Sequence, residues 1–223
     1  RRSFLQITSL GTTAVLLGGC ASLSESAPHA YHPLPCSVQL KIDNPRKLRI
    51  LQLTDIHLGP ESIWPNRTVN RQTEALMANL IAKARADLVI VTGDSWAGNR
   101  EPGGEDNMRE VVAKHAAWGV PWAFTWGNHD QLDDFAAGHK SFAEAKGSLY
   151  AGRESNGNYV VSLEGNSGER LAELFCLNSK TGGLDAEARD FTKSAAKTLD
   201  AAGPRPLRIG AFHIPVRQYQ DVW

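Results

Sequence analysis

Cysteine is scarce in this chain: three among 223 residues, at Cys20, Cys36 and Cys176. So few exclude a disulfide framework, and with no C-x-x-C pair nothing suggests a zinc ribbon or dithiol redox chemistry. Cys36 and Cys176 can form at most one bridge, which an oxidising compartment would permit. An excess of positive charge is lacking too. Lys and Arg total 24 against 24 Asp and Glu, with no basic block or stripe, which argues against a dedicated nucleic-acid binder. There is no P-loop, no dinucleotide-binding glycine pattern and no G-x-S-x-G elbow. The apolar stretch at residues 10–17 falls short of the about 20 residues that a transmembrane helix needs. No internal repeat is visible.

What is present is an ordinary globular composition, 42% hydrophobic and 22% charged. Short apolar runs bounded by glycine and proline read as buried strands at residues 48–53, 88–91, 122–126 and 207–212. Another opens the domain at 37–42, and 158–163 and 173–177 read as a strand pair. Helices are expected at about 69–85, 108–118 and 134–145, with a fourth capped by Asp185 and running through Leu199. In the first, Val69, Leu76, Met77, Leu80 and Ile81 form an apolar face expected to pack on a sheet. Residues 100–107, with proline and three acidic residues, read as a solvated loop. Trp122, Phe124 and Trp126 alternate along one strand, which makes them core rather than a stacking platform.

Four of the strands each stop at a polar motif: Asp55-Ile-His57, Gly93-Asp94, Gly127-Asn128-His129-Asp130 and, last, His213. Polar groups at the carboxyl ends of successive strands in an α/β sheet converge on one crevice. Glycines beside Asp94 and Asn128 would let the backbone turn sharply and leave room for ions and phosphate. Asp, Asn and His without Cys form a donor set for two metal ions of hard to borderline character. A pair of ions about 3.5–4 Å apart, clamping both oxygens of a displacement at phosphorus, is a recurrent phosphoesterase design. Singly, each motif has a plain structural explanation: Gly-Asp is often a turn, and Asn128 can cap a helix. Their joint order weighs against that. The remaining histidines are expected to be unremarkable: His29 and His32 in a Pro/Ser/Ala-rich leader, His115 and His139 on helices.

The series D-x-H, G-D, G-N-H-D and a later lone His resembles the calcineurin-like metallophosphoesterase superfamily, from about Arg49 to the end of the chain. Alternation of strands and helices alone suggests one parallel α/β sheet. The resemblance implies instead two mixed β-sheets packed as a sandwich and flanked by helices. It also implies that Asp55 and His57 hold one metal, that Asp94 bridges both, and that Asn128 and His213 hold the second. His129 would contact phosphate and help protonate the leaving oxygen, with Asp130 orienting its imidazole. The implied reaction is hydrolysis of a phosphate ester, a monoester favoured, by a metal-activated hydroxide. Fe, Mn or Zn would serve. A phosphodiesterase on nucleotides or lipid headgroups would use the same core, and a non-catalytic phosphate- or metal-binding relative is the alternative from another class.

Among members, the sequence is most similar to purple-acid-phosphatase-like proteins of D-x-H subtype. True purple enzymes place a metal-bound Tyr three residues after the bridging Asp; here that position is Ala97, so no tyrosinate–iron colour is expected. Members also finish with G-H-x-H, which does not follow His213, and the chain opens at Arg1 without Met. Both ends are therefore expected to be cut, leaving an incomplete domain at 37–223. At the other end, Arg1-Arg2-Ser3-Phe4-Leu5 resembles a twin-arginine signal and Leu17-Gly18-Gly19-Cys20 a lipobox. A signal peptide at 1–19, lipidation of Cys20, a tether at 20–36 and a periplasmic or cell-surface location follow as expectations. The expected partners are a small phosphorylated substrate and a membrane reached through the Cys20 anchor, not nucleic acid.

Overall fold

The computed structural model describes residues 34, 36–60, 68–97, 104–216 and 218. The twin-arginine and lipobox segments, Cys20 and most of the tether lie outside them. The chain runs β1 (Ser37–Ile42), β2 (Ile50–Leu53), α1 (Thr68–Ala84), β3 (Leu88–Thr92), α2 (Gly104–Ala116), β4 (Trp122–Thr125) and α3 (Phe135–Glu144). It continues through β5 (Tyr159–Gly165), β6 (Arg170–Cys176), α4 (Ala186–Ala201) and β7 (Leu207–Ala211).

The strands form two sheets. One has the order β2-β3-β4 and is parallel throughout; the other has the order β1-β5-β6-β7, with only β5–β6 antiparallel. The two-sheet architecture therefore holds over the single parallel sheet that alternation suggests. One detail departs from expectation: the three-stranded sheet is not mixed. Helices α1 and α2 separate its strands, supplying the long crossovers that parallel pairing needs. A turn of four residues between β5 and β6 instead folds those strands back on each other.

Every residue of β3 and β4 is buried, as the near-continuous apolar runs of a covered parallel sheet should be. Phe124 of β4 stacks on Phe142 of α3 with ring centroids 4.0 Å apart, and Trp96, Trp126 and Tyr150 surround them. The outer edge of β4 does not stay open. Residues 147–149 pair with it through Trp122 N–H to Gly147 O (2.9 Å) and Leu149 N–H to Trp122 O (2.8 Å). The Tyr159 hydroxyl donates to Phe124 O (2.9 Å) and accepts from Phe124 N–H (3.0 Å), fastening the four-stranded sheet to the three-stranded one.

Two local expectations are corrected and one open possibility is closed. Helix α1 buries Asn70, Met77 and Ile81, while Val69, Leu76 and Leu80 face solvent. Its apolar residues span more arc than the sheet covers, and a polar residue takes one inward position. Helix α2 begins at Gly104, inside the expected loop, because Glu105 and Asp106 suit the positive N-terminal end of a helix dipole. Cys36 and Cys176 are both buried free thiols. In register they flank Tyr159 from the strands on either side, roughly 10 Å apart across two strand spacings, beyond disulfide reach. Burial pushes the Cys176 thiol up to about 12.

His115 and His139 are core residues. His115 is fully buried on α2, stacks on Trp118 at 4.3 Å, and has no hydrogen-bond partner among the described residues. Desolvation lowers its pKa to about 3. His139 meets the Tyr150 hydroxyl at 2.5 Å.

Candidate metal centre

Strands β2, β3 and β4 lie side by side and parallel, so the loops after their carboxyl ends are neighbours. Backbone pairing between β2 and β3 continues past the strands. Asp55 N–H donates to Gly93 O (3.1 Å), His57 N–H to Asp94 O (3.0 Å) and Leu58 N–H to Ser95 O (3.1 Å). To do so, the chain holds Asp55, His57 and Asp94 at φ of 54°, 48° and 54°. Left-handed backbone at non-glycine residues costs on the order of 1–3 kcal/mol each and clusters where a site dictates the conformation.

Gly93 and Gly127 are required by close approach. A Cβ on Gly93 would come within 2.7 Å of the Gly127 Cα and 2.8 Å of the His213 ring. One on Gly127 would lie 2.2 Å from Asp94 Oδ1. The loops after β3 and β4 therefore touch backbone to backbone, as the glycines in the sequence lead one to expect.

Asp94 sits at the middle of the cluster, its side chain only 4% exposed. Oδ1 accepts the His129 N–H at 2.8 Å. Oδ2 lies 3.6 Å from His57 Nε2 and 3.3 Å from His213 Nε2, between the two imidazoles. Asp55 Oδ1 is 3.8 Å from His57 Nε2, and Asp55, Asp94 and His213 form a group able to share one cation. His213 comes from the other sheet, at the end of β7. Its Nδ1 meets the Thr92 carbonyl at 2.8 Å. A carbonyl can only accept, so Nδ1 carries the proton and Nε2 of the neutral ring keeps a lone pair. That lone pair faces Asn128 Oδ1 at 3.0 Å and Asp94 Oδ2.

With the ring neutral, Nε2, Asn128 Oδ1 and Asp94 Oδ2 converge as three lone-pair donors, an arrangement a cation would satisfy. The spacing fits as well. Ligand atoms about 2.1 Å from an ion and 90–110° apart stand roughly 3.0–3.4 Å from one another. Asp94 and His213 are a buried floor, whereas Asp55 and His129 are exposed at the rim.

Asp130 is placed differently from the expectation. Its carboxylate, buried beneath the centre, accepts from Asp94 N–H (2.7 Å) and Gly127 N–H (2.8 Å) at Oδ2 and from Ser95 N–H (2.7 Å) at Oδ1. No hydrogen bond joins it to the His129 ring among the described residues. Both oxygens are drawn inward by amides of two loops, while the His129 ring stands out at the rim, 5.2 Å from the His57 ring. Burial pushes the Asp130 carboxyl up to about 7, with the nearby Asp94 charge acting the same way and the three amides opposing. Asp130 is therefore a staple between the loops after β3 and β4.

Two contributors escape sequence reasoning. Asn70 of α1 accepts from Gly59 N–H (3.2 Å) and donates to Gly59 O (2.7 Å), pinning the loop that carries His57. The Thr92 carbonyl fixes the His213 tautomer. An asparagine at an inward helical position is a weak signal for the first; a backbone carbonyl leaves none for the second.

A family model described as calcineurin-like phosphoesterase matches residues 48–223. Among curated proteins, Probable inactive purple acid phosphatase 28 of Arabidopsis thaliana is 24% identical over 84% of this chain and 58% of its own length. Phosphatase DCR2 of Saccharomyces cerevisiae is 26% identical over 79% of this chain and 36% of its own length. The chain therefore spans between about a third and three-fifths of these relatives. Among solved structures, Pseudomonas putida nuclease MPE matches 52% of this chain and 48% of its own at a TM-score of 0.29 and 18% identity.

Proposed function

This chain belongs to the calcineurin-like phosphoesterase family, and on that premise we propose that it hydrolyses phosphate monoesters at a two-metal centre shared through Asp94. The observation that carries this reading is the position of Asp94 Oδ2 between His57 Nε2 and His213 Nε2. Asp55, His57 and Asp94 would hold one ion; Asp94, Asn128 and His213 would hold the other. Oxygen and imidazole donors without thiolate suit Fe, Mn or Zn. Bound there, such ions polarise a phosphoryl oxygen and bring the pKa of water toward neutrality.

The protein's own groups supply the rest. The buried floor of Asp94 and His213 keeps the ligands from rearranging, since the Asp130 staple and the Thr92 carbonyl fix both. The open rim leaves room for a phosphate beside Asp55 and His129. In hydrolysis the water oxygen forms the new P–O bond as the ester P–O bond breaks. The electron pair departs on the leaving oxygen, which takes a proton from His129; one proton of the attacking water stays on the phosphate product and the other returns to His129 through solvent. His129 is suited to this by its exposure and by a backbone N–H anchored to Asp94 Oδ1 at 2.8 Å.

Asp94→Asn tests the reading. Outer partners of metal ligands are already worth 10–100-fold, so loss of a shared ligand should lower p-nitrophenyl phosphate turnover at least about a hundredfold and reduce bound Mn or Zn. Near-normal turnover would end the assignment. Parallel assays with bis(p-nitrophenyl) phosphate separate monoesterase from diesterase. Metal binding without turnover of either would favour the non-catalytic relative.

For location, the twin-arginine-like start and the Leu17–Cys20 motif support export and lipidation at Cys20. Incorporation of labelled palmitate that Cys20→Ala does not abolish would contradict it.

A further inference from the structure

We propose that Thr54 is a positioning residue for the metal centre: its hydroxyl holds the Asp55 carboxylate so that Oδ1 is the oxygen turned toward a cation. This rests on the two-metal reading above and names a further residue on which that site depends. Asp55 needs such a holder. Its side chain is 53% exposed, and the terminal torsion of a carboxylate has only a broad preference of its own. The buried candidate ligands are held already, Asp94 Oδ1 by the His129 N–H (2.8 Å) and His213 Nδ1 by the Thr92 carbonyl (2.8 Å).

Among the described residues, the Thr54 hydroxyl is the only hydrogen-bond donor to the Asp55 carboxylate. It carries one proton and has two acceptors in reach, Asp55 Oδ2 at 2.7 Å and the Thr92 carbonyl at 3.2 Å. The shorter contact, to a charged oxygen, is the stronger. It occupies Oδ2 and leaves Oδ1 uncommitted. Oδ1 is also the oxygen that stands 3.8 Å from His57 Nε2, the other side chain proposed for the same ion. The backbone fixes the opposite end of the residue, since Asp55 N–H donates to Gly93 O at 3.1 Å with φ at 54°. Main chain and hydroxyl together therefore leave the carboxylate one orientation, and that orientation serves the centre.

Thr54 can act on Asp55 only if it is itself fixed. Branching at Cβ restricts its χ1, and the contact with the Thr92 carbonyl selects among the states that remain. Thr92 is a firm anchor: it is buried on β3, and its own hydroxyl accepts from Gln52 Nε2 at 3.0 Å. The carbonyl that steadies Thr54 is the same one that takes the His213 Nδ1–H. Side chains assigned to different ions thus take their positions from one backbone oxygen.

The test is a Mn titration of the full chain without substrate, followed by electron paramagnetic resonance of free Mn and by calorimetry. Asp55→Asn identifies the binding step that depends on Asp55. Thr54→Val keeps the shape and removes the hydroxyl. It should weaken that step about tenfold, the low end of the effect of removing a partner of a metal ligand. The other step should change less than about twofold, because Asp94, Asn128 and His213 keep their own partners. Thr54→Ser should return the affinity to within about threefold of wild type, the remainder reflecting the freer serine χ1. The urea unfolding midpoint should not move in either variant, since Thr54 is exposed. Equal loss at both steps, no recovery with serine, or wild-type affinity in Thr54→Val overturns the positioning role and leaves the two-metal reading intact. Mn binding that Asp55→Asn does not change, or no Mn binding at all, defeats the two-metal reading and the positioning role with it.

Discussion

The parallel three-stranded sheet delivers Asp55, His57, Asp94, Asn128 and His129 from three successive strand ends, whereas the mixed four-stranded sheet delivers one candidate ligand, His213. The difference is one of direction. In the parallel sheet every carboxyl end faces the same way, so three loops stand beside one another at strand spacing. In the mixed sheet β1 and β5 run opposite to β6 and β7. Only the ends of β6 and β7 reach the site region, as residues 178–181 and His213. Those two ends are tied to each other, since Ile214 N–H donates to the Ser179 hydroxyl at 2.8 Å.

The contrast extends to rigidity. The loops after β3 and β4 are stapled by Asp130 and pressed together at Gly93 and Gly127. His213 follows an edge strand paired only with β6 among the described residues and reaches the other sheet through its ring alone, Nδ1 at the Thr92 carbonyl and Nε2 at Asn128 Oδ1.

Substitutions can break that comparison. Asp130→Ala should have the largest effect on stability, because it orphans three buried amide donors at about 1–3 kcal/mol each. A loss of at least about 3 kcal/mol in urea unfolding, with weakened Mn binding, is expected. A stability within about 1 kcal/mol of wild type would show that the loops hold without their staple.

Protons attack the same half of the molecule through His115, which packs against Trp118 and Trp122. Its folded pKa is depressed by burial to about 3 against 6.5 for the unfolded chain. The unfolded state therefore binds the extra proton in that interval, so its contribution to stability is present above pH 6.5 and lost as pH falls toward 3. By pH 4 the loss should reach about 3 kcal/mol. In His115→Leu, unfolding measured at pH 7, 5.5 and 4 should show a shallower acid slope; an unchanged slope would place the proton uptake elsewhere. The smallest effect belongs to the edge strand. Leu207, 65% exposed on β7, should tolerate Ser within about 0.5 kcal/mol with metal binding unchanged. A larger loss would mean that β7 is more constrained than its exposure implies.

Much of this was legible in the sequence because strand ends and the candidate ligand motifs coincide. The seven strands and four helices fall close to where apolar runs and periodicity put them, and Asp185 caps α4 as its position suggests, accepting Ala188 N–H at 2.9 Å. The division into two sheets was not legible, since alternating strands and helices are compatible with one; resemblance alone pointed to it. Periodicity also misjudged α1, for it marks which residues are apolar without showing how wide a face the sheet can cover. Asp130 shows the limit most clearly. A carboxylate next to a histidine invites pairing with that histidine, but three backbone amides, which have no letter in a sequence, claim it first.

The most direct measurement is anomalous diffraction from crystals soaked in Mn. Two peaks about 3.5–4 Å apart, with Asp94 Oδ2 between them, Asp55 and His57 beside one and Asn128 and His213 beside the other, are the result predicted here. Absence of metal from Asp94, or one ion held without it, would contradict a centre shared between the two sheets.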